Sequence, residues 1–269
     1  MISLTTDKAM LGYELLGTYS NISHFVTTRK GGCGIGTYGS FNCSPFTGDN
    51  PIHIYKNQQK LLDSLEKRCS RLIIPKQVHG TETCVIDESF FFLPEDIQTK
   101  KLDGMDAVIT NVPGCCVCVS TADCVPLLIY DPVQQVVAAV HAGWRGTVAR
   151  IVEKVIIKLQ EHFHSDPSTI MACIGPSISV DAFEVGDEVV EEFEKNGFDM
   201  RAISFRNTMK GKSHIDLWEA NRLQLLNSGI PVSQIECAGL CTYTLHEQFF
   251  SARRLGINSG RILSGIMIK

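Results

Sequence analysis

The chain has 269 residues, a hydrophobic fraction of 44% and a formal net charge of −4 at pH 7. This acidic balance argues against a nucleic-acid partner, so we expect small-molecule partners. No apolar run approaches the roughly 20 residues that a membrane-spanning helix needs, so we expect no membrane association. Residues 1–8 lack the basic and apolar segments of a secretory signal. Because no linker, low-complexity segment or repeat interrupts the chain, we predict one domain over residues 1–269.

The predicted elements mix helices and strands. In chain order, an apolar stripe predicts a helix over residues 54–65, and the apolar run 72–75 is typical of a strand. Residues 106–110 and 116–119 predict two strands that flank a Pro-Gly turn. Helical spacing follows over residues 148–159.

The last predicted helix begins at Asp216, a residue typical of helix N-caps, and ends near Gly229. Turn-linked strand pairs dominate the middle of the chain, and regular βαβ alternation is not obvious. The pattern therefore favours an α+β fold, with mixed sheets and hairpins flanked by helices in a single compact domain.

A predicted hairpin carries the clearest chemical signal. Residues 126–130 and 136–140 are two apolar runs separated by the turn residues Asp131 and Pro132. Cys124 precedes the first run and His141 follows the second, so the hairpin places their side chains close together. A thiolate beside an imidazole has two common uses, as two ligands of a soft metal or as a Cys/His nucleophile pair.

A third side chain distinguishes these uses. His79 follows the apolar run 72–75 at a glycine turn. Together with Cys124 and His141, it would complete the open three-ligand set of a catalytic zinc site. The spacing matches no short metal motif, so an ordinary loop histidine is an equal alternative for His79.

The eleven cysteines are not spaced like a secreted disulfide framework, so we expect a reducing, cytoplasmic compartment. Cys115 to Cys118 has C-x-x-C spacing, but no second pair follows at zinc-ribbon distance. Structural zinc is therefore disfavoured there. Cys116 and Cys118 are instead expected to behave as small buried hydrophobes.

Several motifs occur together in an order seen in one known family. They are Phe25 to Gly32, Phe41-Asn42, Gln77 to Gly80, Thr121 to Pro126, His141 to Gly146, Ile174 to Pro176, and Phe249 to Ser251 followed by Arg253-Arg254. The chain resembles the YfiH family of purine nucleoside phosphorylases, long mislabelled as polyphenol oxidase or multicopper laccase. The matches run from about residue 25 to the C-terminus. Cys43 and Ala252 depart from the family pattern, which affects the expected shape of the substrate pocket more than the metal site.

The resemblance implies a Zn²⁺ enzyme with two reactions. One is phosphorolysis of adenosine, inosine, guanosine and methylthioadenosine, and the other is deamination of adenosine. Its partners would then be nucleosides and phosphate, and we expect a monomer or a weak homodimer. A laccase is implausible, because several copper ions need more histidines than the eight present here.

Four further residues are candidates for the site. Arg29 and Asn42 flank a glycine-rich loop that would let them reach the substrate. Arg145 lies between glycines after His141 and is a candidate for holding phosphate. Asp123 adjoins Cys124, where it could shuttle a proton or simply form a turn.

Two alternatives to the zinc enzyme remain open at this stage. The first is a metal-independent cysteine hydrolase with Cys124 as nucleophile and His79 or His141 as base. The second is a non-catalytic, metal-stabilised module. Metal analysis distinguishes the zinc enzyme from the cysteine hydrolase, and turnover of a nucleoside excludes the non-catalytic module.

Overall fold

The computed structural model describes residues 1–65, 69, 71–207 and 211–269. Its strands are β1 Ile2–Ser3, β2 Met10–Gly12, β3 Ile22–Thr27, β4 Arg71–Ile73, β5 Thr83–Ile86, β6 Ala107–Thr110, β7 Cys115–Thr121, β8 Val125–Asp131, β9 Val136–Ala142, β10 Met171–Ile174, β11 Glu184–Val185, β12 Ser204–Asn207, β13 Lys212–Ile215, β14 Ile235–Cys237 and β15 Ile262–Ile268. Its α-helices are α1 Glu14–Gly17, α2 Pro51–Asp63, α3 Glu95–Leu102, α4 Trp144–Val148, α5 Ile151–Phe163, α6 Asp187–Lys195, α7 Met200–Ile203, α8 Leu217–Asn227 and α9 Ala252–Leu255.

Within these residues the strands form three sheets. The order is β1-β2-β3-β15-β7-β4 in the first sheet, β14-β10-β8-β9-β6-β5 in the second and β11-β13-β12 in the third. Three pairs, β4 with β7, β5 with β6 and β10 with β14, are parallel, whereas β8 and β9 form an antiparallel hairpin. The predicted α+β fold with mixed sheets, hairpins and flanking helices is confirmed.

The two large sheets pack face to face. Along β9, Val137 and Ala139 belong to a core cluster that also includes Val117 and Ile266 of the first sheet. The alternate β9 residues belong to a second cluster, which contains the apolar stripe of α5. Because successive side chains of a strand point to opposite faces, β9 has one face toward the first sheet and one toward the helices.

The predicted helices form, with two differences. The helix predicted over residues 54–65 begins earlier, at Pro51, because the Asn50 side chain accepts a hydrogen bond from Ile52 N and Pro occupies the first turn. The helix predicted over residues 148–159 is instead divided into α4 and α5. Arg150 separates them in the left-handed conformation, with φ 62° and ψ 42°. Its guanidinium donates to Asn196 O and lies over the Phe198 ring, so tertiary contacts stabilise the break.

The strands on either side of the predicted Pro-Gly turn also form, but they do not pair with each other. β6 lies in the second sheet and β7 in the first, so the turn connects the two sheets. Cys115 packs between the sheets, whereas Cys118 packs on the opposite face of β7. Two thiols on opposite faces cannot share one metal ion. Cys116 and Cys118 are both buried, which agrees with their interpretation as small hydrophobes.

The N-cap of α8 supports a stability prediction. Asp216 accepts a hydrogen bond from Glu219 N at 3.0 Å. We expect Asp216→Ala to lower the free energy of unfolding by about 1 kcal/mol, because a backbone donor loses its partner. Urea denaturation measures the change, with the exposed Asp181→Ala as the control. Equal losses in the two variants would contradict the contribution of this cap.

Candidate metal centre

The predicted meeting of Cys124 and His141 is confirmed. Cys124 directly precedes β8, and His141 is the second-last residue of β9. The strand register pairs Val125 with Ala142 and Pro126 with His141, which brings the two ends of the hairpin together. His79 joins them, and the ligand atoms of the three residues all lie within 4.8 Å of one another.

Asp106, which the sequence analysis did not single out, positions the loop that carries His79. Its carboxylate accepts hydrogen bonds from the backbone N of Val78 at 3.3 Å, of His79 at 3.0 Å and of Gly80 at 2.6 Å. His79 itself has φ 64°, in the left-handed region that non-glycine residues rarely adopt. The carboxylate therefore stabilises a backbone turn that directs the His79 ring toward Cys124.

The same carboxylate orients His141. Its Oδ1 lies 2.7 Å from His141 Nδ1, and both side chains are buried. Burial raises the pKa of the Asp106 carboxyl, but the hydrogen bond and charge of His141 and the neighbouring backbone N–H groups outweigh it and lower the pKa. An ionised Asp106 accepts a hydrogen bond from Nδ1–H of His141, which leaves Nε2 free to coordinate a metal.

The electrostatics favour a thiolate at Cys124. Burial raises the pKa of this thiol, but the charge of His141 and hydrogen bonds from His141 and His79 lower it overall to about 6. Burial likewise opposes the charged form of His141, whereas Cys124 and Asp106 raise its pKa to about 9. A thiolate is the form of cysteine that binds a metal and also the form that acts as a nucleophile.

Gly143 provides the space in which the three ligands meet. A Cβ added there would lie 3.0 Å from Cδ2 of His79, 3.2 Å from Sγ of Cys124 and 3.8 Å from Cε1 of His141. A larger residue would therefore press against all three side chains. Two imidazoles and one thiolate converging on a small space fit a bound metal ion.

The three ligands border a cavity of about 360 Å³, which is within the usual range for a small-molecule site. Its apolar wall includes Phe46, Ile178, Phe183 and Ile257. Asp123 also lies in the wall, as do two arginines that the sequence analysis did not assign to the site, Arg253 and Arg261.

Asp123 forms a turn next to Cys124, which is one of the two roles considered for it, and its proton-transfer role stays a prediction. It adopts φ 85°, as expected of a turn residue, and its side chain is only half-buried. Its Oδ1 accepts a hydrogen bond from the Thr242 hydroxyl at 2.7 Å, and its Oδ2 accepts one from Arg253 N at 2.7 Å. The carboxylate thus connects the Cys124 turn to the beginning of α9.

The structure does not bring the three predicted substrate residues into the wall of this cavity. Arg29 donates to the carbonyls of Gly39 and His246 and lies over the Phe250 ring. Arg145 is exposed, with its guanidinium 4.3 Å from the Trp144 ring centroid.

Asn42 is buried and acts from behind the cavity wall. It donates to Thr47 Oγ1 at 2.9 Å and to Asp49 Oδ2 at 3.0 Å. Its Oδ1 accepts from the backbone N of Ser44 at 3.3 Å and of Arg261 at 3.1 Å. Both of these backbone partners belong to cavity residues, so Asn42 positions the wall without lining it.

Comparisons with known proteins establish the family. A family model described as multi-copper polyphenol oxidoreductase laccase matches residues 23–269. The chain belongs to this family. Among the curated relatives of this YfiH family, the purine nucleoside phosphorylase of Bacteroides thetaiotaomicron is 54% identical over 100% of this chain and 99% of its own. The adenosine deaminase RL5 of an unknown prokaryotic organism is 42% identical over 92% of this chain and 94% of its own.

Solved structures of the YfiH family share the fold. The hypothetical protein YfiH of Bacillus licheniformis superposes with a TM-score of 0.87 at 28% identity, covering 97% of each chain. YlmD of Geobacillus stearothermophilus gives 0.85 at 31% identity, covering 93% of each chain. The protein is therefore an enzyme of this family, with a His/Cys/His group arranged to bind a metal.

Proposed function

We propose that this enzyme is a zinc-dependent purine nucleoside phosphorylase that also deaminates adenosine. Its phosphorolysis substrates would be adenosine, inosine, guanosine and methylthioadenosine. The observation that carries the proposal is the open set of His79, Cys124 and His141 beside a cavity large enough for a nucleoside. The curated names of two relatives, a purine nucleoside phosphorylase and an adenosine deaminase, support the two reactions.

The donor set favours zinc. Three nitrogen and sulfur ligands with one position left open are typical of catalytic zinc sites. When bound, zinc would supply a Lewis acid that polarises the substrate and lowers the pKa of water. In the described part of the chain this is the single group of His, Cys, Asp and Glu that could hold a metal, which argues against a multicopper centre.

The protein's own side chains would bind and orient the nucleoside. An apolar surface for a purine ring is offered by Phe46, Phe183, Ile178 and Ile257. The polar groups of the wall are available for hydrogen bonds with the ribose. We propose that the Asp123 carboxylate, which lies in the cavity wall, transfers a proton during the reaction. Asp106 keeps the two histidines oriented throughout.

A cysteine hydrolase is the second candidate. Cys124, His141 and Asp106 form a Cys-His-Asp arrangement, and the pKa of Cys124 is lowered to about 6. A nucleophilic mechanism requires no third donor, however, whereas His79 also converges on the thiolate. The position of His79 is therefore the reason to prefer the metal enzyme.

An assay with and without phosphate tests the proposal. Zinc-loaded enzyme should convert adenosine without phosphate into inosine only. With phosphate, inosine should yield hypoxanthine and ribose 1-phosphate, because the two reactions use different nucleophiles. Chromatography of the products provides the measurement. Release of free base without phosphate would show a hydrolase and contradict phosphorolysis.

We also propose a reducing, cytoplasmic location for the enzyme. All eleven cysteines lie in the described residues and are free thiols, which supports this compartment. In the same residues, no helix has the length and apolar character needed to cross a membrane. We further propose that residues 1–269 act as one catalytic domain, as a monomer or weak homodimer, on nucleosides and phosphate without a nucleic-acid partner.

A further inference from the structure

The cavity wall contains two positive charges without carboxylate partners. Arg253 and Arg261 both line the cavity. Neither takes part in an ion pair among the described residues. A cation that is partly removed from water and forms no ion pair attracts an anionic ligand.

Strand pairing brings Arg261 to the metal ligands. It directly precedes β15, whose first residue, Ile262, pairs with Thr121 at the end of β7. The chain after Thr121 continues through Asp123 to Cys124. Burial lowers the pKa of the Arg261 guanidinium overall. The negative charges of Cys124 and Asp123 favour its charged form and partly offset this effect.

Arg261 is held in place without being neutralised. Its Nη1 donates to Ser259 O at 2.6 Å and to Gly260 O at 3.0 Å, and its Nη2 donates to Ile257 O at 3.0 Å. These carbonyls fix the guanidinium but carry no net charge. A guanidinium has five N–H donors, so Nε and one proton of Nη2 have no partner within the described residues.

Arg253 is also held in place by hydrogen bonds. Its backbone N donates to Asp123 Oδ2, and its Nη1 donates to Glu184 O at 3.2 Å. The guanidinium lies 5.6 Å from the Phe183 ring centroid. The remaining N–H groups of this exposed side chain are available to a ligand in the cavity.

We propose that Arg253 and Arg261 form the binding site for inorganic phosphate, with Asn42 and Asp123 as positioning residues. This inference rests on the proposed function. Two guanidinium groups suit a phosphate dianion because each can donate parallel hydrogen bonds to its oxygens. Arg29 and Arg145, the candidates from the sequence, lie outside the cavity wall.

The placement agrees with the chemistry of phosphorolysis. A phosphate oxygen forms a bond to C1′ of the ribose as the bond between C1′ and the purine nitrogen breaks. The purine leaves with the electron pair of that bond and takes up the proton that hydrogen phosphate gives up. Arginines next to the nucleoside hold the attacking anion in position for this exchange.

Arg253→Gln is the main test, because this side chain is exposed and we expect its replacement to leave the fold intact. In zinc-loaded enzyme we expect the KM for phosphate in inosine phosphorolysis to rise by about 10- to 100-fold, as for loss of a hydrogen bond between charged groups. Any loss of phosphate-independent adenosine deamination should be at least about tenfold smaller, because no phosphate contact is involved. Arg261→Gln should show the same pattern.

Arg254→Gln is the matched control. Arg254 is the next residue in the chain, is exposed and lies over the Tyr243 ring outside the cavity wall. Its KM for phosphate should equal that of the wild type. An unchanged KM in Arg253→Gln and Arg261→Gln, or a rise in Arg145→Ala instead, would overturn the assignment of the phosphate site. Equal losses in both reactions would also overturn it, because they would place these arginines at the nucleoside.

Calorimetric titration with inorganic phosphate separates this inference from the proposed function. Binding to the wild type that is weakened in Arg253→Gln supports the site, even if the wild type shows no phosphorolysis and the proposed reaction fails. Absence of phosphate binding in wild-type zinc enzyme would overturn the site directly.

Discussion

Replacing Cys124 with alanine is expected to remove bound zinc and both activities together. The variant retains two imidazole ligands, His79 and His141, which are too few to hold the ion firmly. Metal analysis of purified protein should change from about one zinc per chain to almost none. Product assays on adenosine and inosine should fall to background in the same preparation. The exposed Cys237→Ala removes a thiol away from the site and should retain both zinc and activity.

Cys124→Asp separates a metal ligand from a nucleophile. A carboxylate can coordinate zinc but cannot replace a thiolate in a Cys/His nucleophile pair, so partial zinc retention with residual turnover would support the metal enzyme. The cysteine-hydrolase alternative predicts a different set of results. The wild type would remain active after exhaustive chelation and would be inactivated by one equivalent of a thiol alkylator at Cys124. Full activity in verified metal-free protein would falsify the zinc mechanism.

The part of the site that sequence could predict is the part that depends on local pairing. Cys124 and His141 are connected by a short hairpin, so the two apolar runs and their turn were sufficient to place the side chains together. His79 is different, because no short-range rule relates it to Cys124. Its role followed from the family resemblance, and the structure shows that a long-range contact with Asp106 positions it.

The residues that sequence analysis missed reach the site through long-range sheet pairing. Asp106 lies beside His141 because β6 pairs with β9 in a register that matches Ala107 with Val140. Arg261 lies beside the Cys124 turn because β15 pairs with β7. Neither pairing joins strands that are adjacent in the chain. The one available signal for Asp106 was a carboxylate directly before a fully buried strand.

The predicted substrate residues show why a motif match alone does not place a side chain. The glycine-rich loop after Arg29 does not line the cavity, and one of its glycines packs closely against the backbone. A Cβ added at Gly32 would collide with the backbone O of Ser40, so this glycine allows two backbone segments to approach. Arg29 donates to Gly39 O within the same loop. Phosphate-binding and substrate-binding roles for Arg29, Asn42 and Arg145 stay predictions, and the variants of Arg253 and Arg261 test the alternative placement.

Asp106→Asn is expected to weaken zinc binding by about 10- to 100-fold, the range seen when a residue that orients a metal ligand is changed. Asparagine matches aspartate in shape but replaces one acceptor oxygen with an N–H₂ donor. If the amide faces His141 Nδ1, this ring must carry its proton on Nε2, the atom needed for the metal. If the amide instead faces the backbone N–H groups of Val78 and Gly80, its own N–H donors replace the oxygen that accepts their hydrogen bonds. The turn that carries His79 is then destabilised.

Asp131→Asn is the matched control for this substitution. Asp131 is also fully buried, accepts hydrogen bonds from the backbone N of Val133 and Gln134, and lies at the opposite end of the β8–β9 hairpin. Both variants lose a buried carboxylate, so both can lose stability, but only Asp106→Asn should lose zinc affinity in competition with a chromophoric chelator. Adenosine deamination by Asp106→Asn should then recover in part when free zinc is raised. If the two variants bind zinc equally well, Asp106 has only a structural role, and His79 and His141 are oriented by the strands and the Gly143 turn alone.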